Sequence, residues 1–207
     1  MNNRLAEGYD IPAVEAWVGK NIKPLAPPFI WTRLEGGHSN LTYMLEDANG
    51  MRAVIRRPPQ GKLLPNAHDM SREWALISAL GSTCVPVPKT MGFCDDANVT
   101  GACFYVMGVV EGRPLYSAAE TLAWVPEDRR LRLAHSFVDV LADLHALNPD
   151  EIGLGELGKK TGYVDRQIKT WYRSWTASLD AAQFDDARAH ELKKYFVEHT
   201  PQNNLKH

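Results

Sequence analysis

Two glycines, an arginine and a glutamate carry the first chemical suggestion in this chain. Gly36-Gly37-His38-Ser39-Asn40 falls between two β-type stretches, Arg56 closes the run Ala53-Val54-Ile55-Arg56, and Glu73 follows in a helical segment. Adjacent glycines let the backbone come close to an anion, and consecutive N–H groups can form a concave anion site. Ser39 would add a hydroxyl donor, and Asn40 would brace the turn. A guanidinium is always charged and grips phosphate through paired hydrogen bonds, so Arg56 suits the same task. Each piece also has a plainer reading. Gly-Gly is a common hairpin turn, and an exposed Arg–Glu pair contributes only about 0–1 kcal/mol. Taken together and in this order, the pieces favour phosphate binding.

A third piece is Phe104-Tyr105-Val106-Met107-Gly108-Val109-Val110-Glu111-Gly112. An apolar strand ending in glycine could offer backbone donors and acceptors to a purine edge, with Met107 shaping the pocket. Alone it is a buried strand with a turn. Other polar residues read as structural. His38 lies in the glycine turn, where its side chain can simply face solvent. His145 suits a structural hydrogen bond, and Trp171 with Trp175 suits packing at i,i+4 spacing. His190 and His199 have no metal-ligand spacing. Asp139 and Asp143, like charges at i,i+4, mark a solvated helix face.

The elements that would position these residues follow from periodicity. A short helix is expected over Ile11 to Lys20, with Asp10 as N-cap and Pro12 in its first turn. Three antiparallel strands follow between Phe29 and Arg57, and Asn49-Gly50 is a hairpin signal. A helix from about Asp69 to Leu80 should stop at Gly81. Two further strands are expected around Thr90 to Cys94 and Cys103 to Val110. Alternation along the third strand turns Arg57 away from Arg56, towards solvent. Beyond Gly112 the pattern becomes helical, with a helix opening at Pro126-Glu127-Asp128, one carrying Trp171 and Trp175, and one beginning near Asp185-Asp186.

Composition narrows the classes. The 207 residues hold 23 Lys and Arg against 25 Asp and Glu, a net charge of -2 with no basic cluster, which disfavours nucleic acid. There is no apolar leader at the N-terminus and no apolar run of membrane-spanning length. Cys84, Cys94 and Cys103 are odd in number and lack CxxC spacing, as expected of free thiols in the cytoplasm.

In these motifs the chain resembles the aminoglycoside-phosphotransferase family, small-molecule kinases with a protein-kinase-like fold. The branch it is most similar to includes the kinase-like domain fused to some acyl-CoA dehydrogenases. The resemblance rests on Gly37-His38-Ser39-Asn40-Leu41-Thr42, Val54-Ile55-Arg56-Arg57-Pro58-Pro59, Leu63-Leu64-Pro65-Asn66-Ala67-His68 and Arg72-Glu73. It continues through Val85-Pro86-Val87-Pro88, Phe104-Tyr105-Val106-Met107, Leu141-Ala142-Asp143-Leu144-His145 and Arg166-Gln167 with Trp171, nearly the whole chain in order.

The resemblance implies an α+β, protein-kinase-like two-lobe fold. Residues 1–112 would form a complete five-stranded N-terminal lobe with one helix on the sheet, and 113–207 an incomplete helical lobe. It implies ATP and Mg2+ as cofactors, and a small-molecule hydroxyl as phosphate acceptor, with a hydroxyacyl-CoA-like metabolite among the options. Gly36, Gly37, Ser39 and Asn40 would form the phosphate loop. Arg56 would hold the phosphates where the family pattern has lysine, Glu73 would orient Arg56, and Met107, Gly108 and Val109 would meet the adenine. Asn203-Asn204-Leu205-Lys206-His207 is similar to the approach to the family's catalytic loop. The catalytic Asp and the magnesium ligands would then lie past His207, so no catalytic or metal residue is assigned and catalysis by these residues alone is not expected. Two other functions stay open: a non-catalytic nucleotide-binding protein that covers apolar surface by homo-oligomerising, and a kinase-like scaffold without nucleotide.

Overall fold

Strict alternation in the second and third strands builds a sheet with two different faces. The computed structural model describes residues 6–34, 40–61 and 68–200. Five antiparallel strands, β1 (Ile30–Arg33), β2 (Leu41–Glu46), β3 (Arg52–Arg57), β4 (Thr90–Cys94) and β5 (Phe104–Gly108), lie in the order β1-β2-β3-β5-β4. Along β2, Leu41, Tyr43 and Leu45 are buried while Thr42, Met44 and Glu46 are only partly covered. The register sets Tyr43 opposite Ile55 and Thr42 opposite Arg56. Leu41, Tyr43, Leu45, Ala53, Ile55, Phe104 and Val106 therefore line one face.

Helix α1 (Ile11–Asn21) supplies the cover for that face. Asp10 caps it, accepting from the Ala13 N–H at 3.2 Å, and Val14 and Val18 are fully buried in the core cluster beneath it. Trp17 meets Phe104 edge-on at 5.1 Å between ring centroids. Helix α2 (Met70–Leu80) is packed against β4 and β5 on the opposite face, where Trp74 stacks on Phe93 at 5.8 Å. The sheet is thus a layer between two helices. As expected, Asp69 begins α2, accepting from the N–H groups of Ser71 and Arg72. Gly81 does end α2, but with φ -62 it stays in the right-handed region and is not a left-handed glycine cap.

Two local expectations change. Asn49-Gly50 does not make a two-residue hairpin turn. It lies in a five-residue loop, held because the Asp47 carboxylate accepts from the N–H groups of Asn49 (2.8 Å), Met51 (3.0 Å) and Ala26 (3.2 Å). Burial raises the Asp47 pKa, yet these amide donors outweigh it and leave the group below the usual carboxylate range.

Arg57 does point away from Arg56, but it is not solvated: it is only 5% exposed. Its guanidinium donates to the carbonyls of Gly8, Thr100 (2.8 Å) and Pro58 (3.2 Å) and lies over the Tyr9 ring. Burial lowers its pKa, opposed by Tyr9. Gly8 suits this point, since its φ of +83 is one that other residues rarely adopt, and a Cβ there would stand 2.5 Å from the Leu41 Cδ1 methyl, which would have to shift.

The chain divides into two compact units at Leu154 and Gly155. The first also holds α3 (Ala118–Trp124) and α4 (Glu127–Ala146). The sequence reading did not anticipate α3, which begins with a capping box: Ser117 accepts from the Glu120 N–H while Glu120 accepts from the Ser117 N–H. Asp139 and Asp143 are on the exposed surface of α4. His145 is exposed too, with no hydrogen bond among the described residues to support the structural role expected of it. The second unit pairs α5 (Tyr163–Ala182) with α6 (Ala187–Glu198). Between them Trp171, Tyr172, Trp175, Leu192 and Phe196 line an open apolar cleft of about 360 Å³. His190 sits beside Tyr172, whose hydroxyl is 2.7 Å from Nδ1, and the Asp185 carboxylate is 3.2 Å from Nε2. Among the described residues no helix is long and apolar enough to cross a membrane.

Candidate functional site

Arg56 projects from β3 onto the α2 face of the sheet because its neighbours in the strand, Ile55 and Arg57, project the other way. The pairing register puts Thr42, Tyr105, Val54 and Met107 on the same face as Arg56. Glu73, in the first turns of α2, reaches down to it. Glu73 Oε2 accepts from Arg56 Nε at 2.9 Å and from the Tyr105 hydroxyl at 2.9 Å. Oε1 accepts from Asn40 Nδ2 at 3.0 Å. Arg56 Nη1 donates to the Thr42 hydroxyl at 3.2 Å.

This geometry sets the Arg–Glu pair apart from a fully exposed surface bridge. Both side chains are about a third exposed, at 31% and 32%, so the pair is neither a free surface bridge nor a sealed one. Fixed on two sides by Glu73 and Thr42, the guanidinium keeps Nη2 without a partner among the described residues. Arg56 is thus a clamped cation with a donor to spare on a partly open sheet face. Tyr105 stays protonated: burial raises its pKa strongly, and the adjoining Glu73 carboxylate raises it further. Its O–H therefore remains a donor to Glu73.

The residues assigned from sequence separate into three groups. Arg56, Glu73 and Asn40 come together, though Asn40 braces Glu73 through its side chain and is itself buried. Gly36, Gly37 and Ser39 lie outside the described residues, as does His38. Met107 sits on the Arg56 face, and Val109 follows the end of β5. The Gly108 N–H already donates to the Lys89 carbonyl at 2.7 Å, so that donor is engaged within the protein. Sequence reasoning missed Thr42, Tyr105 and His68, whose Nδ1 is 2.8 Å from Asn40 Oδ1. Only Thr42 and Tyr105 left a signal, as the residues a correct strand register places across from Arg56.

The sheet order, the helix between its third and fourth strands and the ion pair joining strand to helix define a protein-kinase-like fold. The sequence model of the phosphotransferase enzyme family matches residues 30–205, and the chain belongs to that family. A crystal structure from Ralstonia eutropha, of a protein provisionally named an aminoglycoside phosphotransferase, superposes with a TM-score of 0.71 at 30% identity, covering 96% of this chain and 56% of that one. Acyl-CoA dehydrogenase family member 11 of Gallus gallus is 38% identical over 165 residues, 80% of this chain and 20% of the relative. The Arabidopsis thaliana protein named probable acyl-CoA dehydrogenase IBR3 is 39% identical over 146 residues, 69% of this chain and 18% of the relative. The chain thus spans about one fifth of the length of these curated relatives.

Proposed function

We propose that this chain binds ATP on the Arg56 face of the sheet, as the nucleotide-holding part of a phosphotransferase that acts on a small-molecule hydroxyl. The observation that carries the reading is the Arg56–Glu73 pair, 2.9 Å across strand and helix, with a guanidinium donor left for a phosphate oxygen. Met107, on the same face and only partly covered, offers an apolar surface to the adenine. The names of the relatives make an acyl-CoA-linked hydroxyl the acceptor to try first. Among the described residues no group of three or more His, Cys, Asp or Glu could hold a metal ion. Three unpaired cysteines support a cytoplasmic setting.

Thermal unfolding with and without Mg-ATP tests the reading. At a ligand concentration one hundred times Kd, binding to the folded state adds about 2.7 kcal/mol, a rise of about 5–11 °C in Tm. Arg56→Ala should abolish the rise. A folded parent that shows none, or a variant that keeps it, overturns the assignment.

A second reading, in which the chain binds nucleotide without catalysis and pairs with a second copy, is favoured by Leu131 and Phe137 of α4, exposed at 68% and 71%. Light scattering distinguishes it, since a monomer across the concentration range removes it.

A further inference from the structure

Asn40 is a buried amide whose two ends face different kinds of group, and that fixes a proton elsewhere. The Glu73 carboxylate already receives Arg56 Nε and the Tyr105 hydroxyl, so towards Asn40 it can only accept. The amide edge at 3.0 Å from Glu73 must therefore be the NH2 group, and the carbonyl edge is the one turned to His68. Carbonyl oxygen has nothing to donate. His68 Nδ1, 2.8 Å away, must carry the hydrogen.

We infer that His68 is a positioning residue for the phosphate-binding arginine. Its Nδ1–H holds the Asn40 amide in one orientation, the amide holds Glu73 Oε1, and Glu73 Oε2 then meets Arg56 Nε with the rest of the guanidinium turned to the sheet face. The backbone agrees with a dedicated role. His68 has φ +58, in the left-handed region that non-glycine residues visit seldom, immediately before the Asp69 cap of α2. The relay ties the entry to α2, which lies outside the sheet ladder, to the paired ends of β2 and β3. Its functional half rests on the proposed role of Arg56. The tautomer of His68 does not.

Two measurements on the 207-residue chain test the inference. Long-range 1H–15N correlation spectra of the neutral imidazole should show His68 protonated at Nδ1 and bare at Nε2. The opposite tautomer overturns the relay whether or not nucleotide binds. Affinities for Mg-ATP and for adenosine then test its purpose. His68→Ala should weaken Mg-ATP by about tenfold, as expected for losing one partly buried hydrogen bond that orients a charge, and leave adenosine unchanged. His68→Asn keeps an N–H near the Nδ1 position and tolerates positive φ, so it should restore most of the loss. Equal weakening of both ligands, or no rescue by asparagine, means a structural role only and overturns the inference. If the parent binds no ATP while the tautomer is as stated, the role of Arg56 fails and the relay stands as architecture.

Discussion

Replacing Arg57 by alanine separates the two arginines that stand side by side at the end of β3. The Thr100 and Pro58 carbonyls would each lose the donor described above, while the Gly8 carbonyl keeps a longer bond from the Thr100 hydroxyl at 3.4 Å. An orphaned buried carbonyl costs about 1–3 kcal/mol. Against this, the variant no longer buries a cation that has no carboxylate partner among the described residues, which offsets part of the loss. A net destabilisation of about 3 kcal/mol is expected, or a fall of about 6–12 °C in Tm for a chain of this size. Circular dichroism melts without nucleotide measure it. Binding of Mg-ATP in the cold, where the variant is folded, should be unchanged. Arg57→Met keeps the apolar stem and should lose less than alanine. A Tm within about 2 °C of the parent would refute the reasoning, because it would mean that the guanidinium is solvated. Lost nucleotide affinity in a folded variant would refute it differently, by placing Arg57 in the site.

Two further outcomes concern stability alone. Asp47 has a folded pKa below its unfolded value, so its contribution is complete above the usual aspartate range and disappears as pH falls through the lowered folded value. Asp47→Asn should flatten the dependence of the urea midpoint on pH in that acid window, and an identical dependence in parent and variant contradicts the account. Ser117→Ala removes the capping box of α3 and should cost that helix about 1 kcal/mol, seen as roughly fivefold faster amide exchange at Glu120 and Thr121. Unchanged exchange would mean that the cap contributes nothing.

What the sequence made legible was local. Apolar runs punctuated by glycine turns located the strands, helical spacing located α2, and Asp10 announced α1 through a side-chain oxygen that serves a backbone donor three residues away. Arg56 and Glu73 were legible because a strand cation and a helix carboxylate in that order form a familiar pair. The burial of Arg57 was not legible. Alternation predicts its direction, but what covers it is the carbonyl of Gly8, 49 residues distant, and that of Thr100, 43 residues distant. His68 and Asn40 are 28 residues apart, and nothing in either's local pattern names the other. The missed helix α3 is a different failure, since Ser117-Ala118-Ala119-Glu120 is a capping box that the sequence displays openly.

The neighbouring arginines also make the alignment of β3 self-checking. In a sheet, a slip of one residue turns every side chain to the other face. Moved by one position, Arg57 would emerge beside Glu73, and Arg56 would enter the layer beneath α1. Neither guanidinium would then meet its present acceptors, which differ in kind: a carboxylate and a hydroxyl on one side, main-chain carbonyls on the other. A strand of valines and isoleucines alone could tolerate such a shift at modest cost. Two charges with unlike partners cannot exchange places, so the pair acts as an index mark that rejects misaligned β2–β3 pairings while the sheet assembles.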